Sequence, residues 1–180
     1  MACLNKLTTD ISFDCTNLGN VGGTGEIDEA IIINSSDIST ISEAVNVGTI
    51  TMLTGKRGFV VNSVNNSIIY QDAIKVNDTT PAAEDHSVII KVLRAPGSLS
   101  GYRAILSQLL GGNFRVAFKS KNGECFLAGA FCGLEASDLA TDSSNGGITT
   151  VTLKTPEAAT GDKLLTLTKA DYDGLKIPKA

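Results

Sequence analysis

Four glycines, Gly19, Gly22, Gly23 and Gly25, precede an acidic cluster and a triple isoleucine in NLGNVGGTGEIDEAIIINSSDI, residues 17–38. A glycine-rich loop cradles phosphate when it follows a strand and opens a helix, because the helix N–H groups then meet the pyrophosphate. The spacing here is not G-x-G-x-x-G, and the β-branched residues that follow favour a strand. A second phosphate-like fragment, TGKRG, has Gly55 and Lys56 but places Arg57 where a magnesium-binding Ser or Thr belongs. Both stretches are expected to be flexible surface loops, the first crossing to the strand AIII.

Acid–base and metal chemistry fare no better. His86 is the single histidine, set in PAAEDHSV without any nucleophile signature beside it. The polar segment before it predicts a solvated surface histidine at a loop-to-strand boundary. The acidic groups Glu26/Asp28/Glu29 and Glu84/Asp85 lack the alternating ligand loop of a calcium site, and are expected to be solvated charge. Cys3, Cys15, Cys125 and Cys132 show no C-x-x-C spacing. A zinc site would have to gather all four thiols from distant segments, so they are expected to be reduced, small core residues. No catalytic residue, cofactor site or metal site is expected, and the chain is not expected to be an enzyme.

The elements that would position such residues are mostly strands. The chain has 180 residues, 42% hydrophobic and 19% charged, which suits one domain, 1–180, with a real core. No apolar run approaches the ~20 residues of a membrane helix. The start MACLNKLTTD lacks the basic and apolar regions of a signal peptide, so secretion by that route is not expected. The N-x-S/T matches at Asn34, Asn66 and Asn77 are then incidental. A net charge of −4 argues against tight nucleic-acid binding.

One helix is predicted over about residues 98–110, in GSLSGYRAILSQLLGG. Ser98 is a plausible cap, and Leu99, Tyr102, Leu106, Leu109 and Leu110 share a face. Next, NFRVAFKSKNGECFLAGAFC carries Asn122-Gly123, a strong hairpin signal. A two-residue turn there would pair Lys121 with Glu124, Phe118 with Leu127, Val116 with Gly129 and Phe114 with Phe131. Phe114, Val116, Phe118, Leu127 and Phe131 would then form a core face, with Arg115, Lys119 and Ala128 on a solvent or partner face. Cys125 and Cys132 would fall on opposite faces, unable to bridge.

Strands are also predicted in EAIIIN, VGTITMLTG, RGFVVNSV, NSIIYQDAIKV, HSVIIKVL, GITTVTLKT and LLTLTKADY. Asn65-Asn66 offers a weaker hairpin turn between two of them. NDTTPAAED and ASDLATDSSNGG are polar enough to predict long surface loops. About eight strands with one helix, not alternating, predict a mainly β fold: a β-sandwich or half-open barrel with one flanking helix.

Three stretches carry a family resemblance. The opening MACLNKLTTDISFDC with its glycine-rich loop and EIDEAIIINSSDI resembles the start of virion proteins from tailed phages of the Bacteroides group. GAFCGLEASDLATDSSNGGITTVTLKTPE is similar to a later segment of those proteins, and LLGGNFRVAFKSKNGECFLAG to their core hairpin. The resemblance implies a tail tube protein located in the virion tail and assembled in the host cytoplasm. Such subunits form rings, commonly hexameric, that stack into a hollow tube for genome delivery. The implied partners are further copies of itself, tape measure and terminator proteins, a sheath in some tails, and DNA passing without specific binding. No membrane is implied. An acidic subunit would line a channel that repels DNA phosphates. Two other readings are a capsid decoration or tail terminator protein, and a non-catalytic ligand-binding β module. Zero tryptophans and three tyrosines weigh against the last for carbohydrate.

Overall fold

The computed structural model describes residues 6–8, 10, 27–62, 67–77, 80–92, 106–142, 148–157 and 162–179. Among the described residues the fold is mainly β, a two-sheet sandwich with a short flanking helix. Eleven strands run in order: β1 (Ile27–Asn34), β2 (Ile38–Ala44), β3 (Val47–Met52), β4 (Phe59–Asn62), β5 (Ile68–Asn77), β6 (Thr80–Val92), β7 (Phe114–Ser120), β8 (Cys125–Ala128), β9 (Glu135–Asp142), β10 (Ile148–Lys154) and β11 (Leu165–Leu167). Helix α1 (Lys169–Gly174) follows. One sheet has the order β2-β3-β11-β8-β7-β1-β4, the other β5-β6-β10-β9.

The triple isoleucine explains why the larger sheet lies in the middle. Along β1, Ala30 and Ile32 face the smaller sheet, where they meet Ile68, Val88, Ile90, Val151 and Leu153. Ile31 and Ile33 face the other way, into a second core with Met52, Leu127, Leu165, Leu167, Tyr172 and Leu175. A strand apolar on both faces is what a central layer requires.

The hairpin at Asn122-Gly123 is present, but its register is one residue away from the expected one. Val116 pairs with Ala128, Ala117 with Leu127 and Phe118 with Phe126. The loop has three residues. Gly123 N–H donates to Ser120 O at 2.9 Å, Ser120 N–H donates to Glu124 O at 2.8 Å, and only Gly123 has positive φ, at 89°. That is a type I turn closed by a glycine bulge, not a type I′ turn. The slip exchanges faces along β8. Leu127 joins the second core, and Ala128 the inter-sheet core. Phe131, expected in the core, is 52% exposed, and Phe114 bridges Leu134 instead. Arg115 and Lys119 are partly buried rather than solvent-facing.

Other expectations change for related reasons. Asn65-Asn66 lies outside the described residues, and β4 and β5 on either side of it belong to different sheets and do not pair. Most of NDTTPAAED lies in β5 and β6, and ASDLATD lies in β9, because ladder pairing satisfies polar strands as well as apolar ones. Strand β2 was not expected. KADY at the chain's end is helical, with Thr168 as its cap: Thr168 Oγ1 accepts from Asp171 N–H at 3.1 Å and donates to Asp171 Oδ2 at 2.6 Å. Most of the helix expected over 98–110 lies outside the described residues. Leu106 and Ser107 are helical, and Leu106 and Leu109 are buried.

The β2–β3 turn is unusual. Val45 and Asn46 adopt φ of 53° and 66°, and Ala44 pairs with Val47 across them. A type I′ turn thus holds a β-branched, 95% exposed valine in the left-handed region. Val45→Asn is expected to raise stability by about 1 kcal/mol, since the left-handed region costs most residues ~1–2 kcal/mol and asparagine less. A thermal melt no higher than that of the unaltered protein would contradict this.

Candidate functional site

No catalytic constellation comes together among the described residues. Among the described residues no three His, Cys, Asp or Glu side chains are grouped to hold a metal. No helix among them is long and apolar enough to cross a membrane. The described surface instead offers strand edges and a ribbon.

Strand β6 pairs with β10 only along Ser87–Val92, but with β5 as far as Thr80. From the Asp72–His86 pair to the Asn77–Thr80 pair the hairpin is a two-stranded ribbon with no third strand among the described residues. Seven residues of strand correspond to roughly 20 Å. Isolated two-stranded ribbons are marginal in water.

His86 anchors the arm's root and is not the surface residue the sequence suggested. It is 0% exposed, because the polar PAAED is strand and carries His86 into the sandwich. Its Nδ1 lies 2.7 Å from Tyr70 Oη and 3.5 Å from Asp72 Oδ1. Thr155 clamps its backbone: His86 N–H donates to Thr155 Oγ1 at 3.0 Å, and Thr155 N–H donates to His86 O at 3.0 Å. Tyr70 then packs on Phe118, with ring centroids 4.7 Å apart. The histidine therefore reads as a structural pin between arm and core.

Gly19, Gly22, Gly23, Gly25, Glu26, Cys3 and Cys15 lie outside the described residues, and so do Ser98, Leu99 and Tyr102. Gly55–Arg57 is tied down rather than free. Gly55 N–H donates to Lys179 O at 2.8 Å, and Lys56 Nζ sits 3.5 Å from Asp37. Arg57 grips Asp10 with two bonds of 2.9 Å. Burial tends to raise the Asp10 pKa, but those bonds, the Val60 N–H and the Arg57 charge carry it below the ordinary value.

The acidic groups expected to be solvated are mostly paired. Asp28 meets Lys119 at 2.9 Å, and Asp85 meets Lys154 at 3.6 Å. Glu29 takes Lys176 at 2.5 Å and the Tyr172 hydroxyl at 3.2 Å. Asn34 is buried, bonded to the Leu7 backbone and to Asp37, which leaves its amide no room for a glycan. Cys125 is a buried free thiol, and burial pushes its pKa up.

Four strands end the two sheets: β2 and β4 in one, β5 and β9 in the other. Of these, β9 carries Glu135 and Asp138 along an edge unpaired among the described residues, charges that discourage self-pairing. Pattern reading missed β2 because ISTISEA alternates weakly. Its only usable signal was the pair of isoleucines three residues apart.

No protein-family model matches the chain, and no curated protein or solved structure matches it at a significant level.

Proposed function

We propose that the protein is a virion structural component that self-assembles into stacked rings forming the tail tube of a tailed phage. The observation that carries this reading is the two-stranded arm of β5 and β6, a ribbon whose outer pairs have no third strand beside them among the described residues. An arm of this length gains stability by lying on a neighbour, and open sheet edges are removed when subunits join side by side. The family resemblance and the acidic net charge of −4 fit a channel through which DNA slides. In this reading the partners are further copies of the chain, and the location is the tail. A single-ring terminator or a capsid decoration protein would use the same edges without elongating.

Negative-stain microscopy with light-scattering mass on concentrated protein tests the proposal. Hollow tubes or stacked rings are the expected result. Replacing residues 75–83 with Asn-Gly keeps the Ile74–Glu84 pair and removes the arm's outer part. That variant is expected to melt within a few degrees of the full chain yet form no tubes. Tubes of normal length from it would overturn the role given to the arm. A wild-type particle that stays a single ring at every concentration would favour the terminator reading.

A further inference from the structure

We propose that Arg115 and the hydroxyl groups around it form a pocket for a carboxylate. The cleft has a volume of about 270 Å³ and is lined by Ser35, Ser39, Thr40, Ile41, Arg115 and Phe131, among others. Arg115 lines this cleft from β7, and β2, an edge strand, supplies much of the rest.

The guanidinium is incompletely satisfied. Its Nη1 donates to Asn113 Oδ1 at 2.8 Å and to Ser35 Oγ, both neutral oxygens. Its Nη2 reaches only Phe131 O, at a long 3.4 Å. Its Nε is buried and has no hydrogen-bond acceptor in the protein. Nε and Nη2 form the side of the fork that a carboxylate grips with two parallel bonds. On that side Nε has no acceptor in the protein and Nη2 has only the long contact to Phe131 O.

The charge balance agrees. Lys6, Lys56, Arg57, Lys119, Lys154, Lys163 and Lys176 each lie within 4 Å of an Asp or Glu. Arg115, more deeply placed than any of these, has no such ion pair. Asp162 is the acid whose charge it feels, and Asp162 Oδ1 is occupied by the N–H groups of Phe131 and Lys163. Burial lowers the Arg115 pKa against the opposing pull of Asp162 and Cys132. A nearby negative Asp162 also disfavours a dianion such as phosphate, so a singly charged, planar carboxylate is the better fit. Ser39 and Thr40 add hydroxyl donors at the rim.

Two sources can supply the group: a free small carboxylate, or an Asp or Glu side chain of a second copy of this chain. The Arg115 Nε–H resonance of the unaltered protein, observed by ¹⁵N NMR, tests both. Titration with sodium acetate, against sodium chloride at matched pH and ionic strength, is expected to move that signal saturably in the millimolar range. Arg115→Lys, which loses the planar fork, is expected to weaken acetate binding at least about tenfold at the Ser35 and Thr40 amides. If the signal moves as protein concentration rises without acetate, and acetate reverses the change, the ligand is a neighbour's side chain. Identical responses to acetate and chloride, with no dependence on protein concentration, would overturn the pocket and assign the Nε–H to an internal water. The wild-type titration decides this even if the lysine variant fails to fold, and it does not depend on tube formation.

Discussion

Tyr172→Ala is expected to destabilise the fold by about 3–5 kcal/mol, the range for removing a large buried ring. Tyr172 is fully buried in the second core beneath α1, beside Ile31, Leu165 and Leu175. Its hydroxyl donates to Glu29 O at 3.1 Å, and the Lys176 ammonium lies 5.0 Å from its ring centroid. The ring thus holds α1 against β1, elements far apart in sequence. The position of β11 enlarges the effect. It lies between β3 and β8, so the β2–β3 hairpin joins the rest of its sheet through the C-terminal strand. Loosening α1 frees β11, and with it that hairpin.

Tyr172→Phe separates the hydroxyl from the ring. It should cost only about 1 kcal/mol at neutral pH, the usual net value of one hydrogen bond. Burial, then the charge and bond of Glu29, raise the Tyr172 pKa above the ordinary phenol value. A raised pKa means that the folded state holds the proton more tightly. The associated stability is complete below the unfolded value of about 10 and is lost as pH rises beyond it. Chemical unfolding at neutral pH and above pH ~10 should therefore show a shallower alkaline loss for the Phe variant. An alanine variant within about 1 kcal/mol of wild type would refute the latch.

Gly133→Ala carries the second large effect. Gly133 has φ of 74°, where a side chain costs ~1–2 kcal/mol. An added Cβ would also fall on the Asn113 carboxamide, inside van der Waals contact. Asn113 has little freedom to retreat. Its Nδ2 donates to Cys132 O at 3.2 Å, and its Oδ1 accepts from Arg115 and Ser35. Displacing it strips part-buried groups of partners, at about 1–3 kcal/mol for each one left unsatisfied. Gly123→Ala is the control. It has φ of 89° but open space around the same position, so it should show the backbone cost alone. Equal denaturation midpoints for the two variants would show that the Asn113 packing contributes nothing.

Local pattern reached the strands with apolar or β-branched cores and stopped where the signal is non-local. EAIIIN, VGTITMLTG, RGFVVNSV, NSIIYQDAIKV and GITTVTLKT all contain strands, because β-branched runs between turn residues have few other uses. The Thr168–Asp171 cap was also visible as a T-x-x-D spacing, yet the preceding strand residues masked it. His86 and the ribbon were not legible. Polar residues on a strand look like a loop until the partner strand that satisfies their backbone is known. The Arg115 cleft was equally hidden, since Ser35, Asn113 and Arg115 meet only after β1 and β7 pair.

The sequence by itself determined the mainly β class and the hairpin at Asn122-Gly123, both of which depend on neighbours within a few residues. Only the tertiary structure decided which face each strand buries. A glycine bulge moved the β7–β8 register by one residue and sent Leu127 and Phe126 to opposite cores. A strand's side-chain period is two, so one residue of slip reverses its faces, and the turn conformation that sets the slip is fixed by packing on both sides.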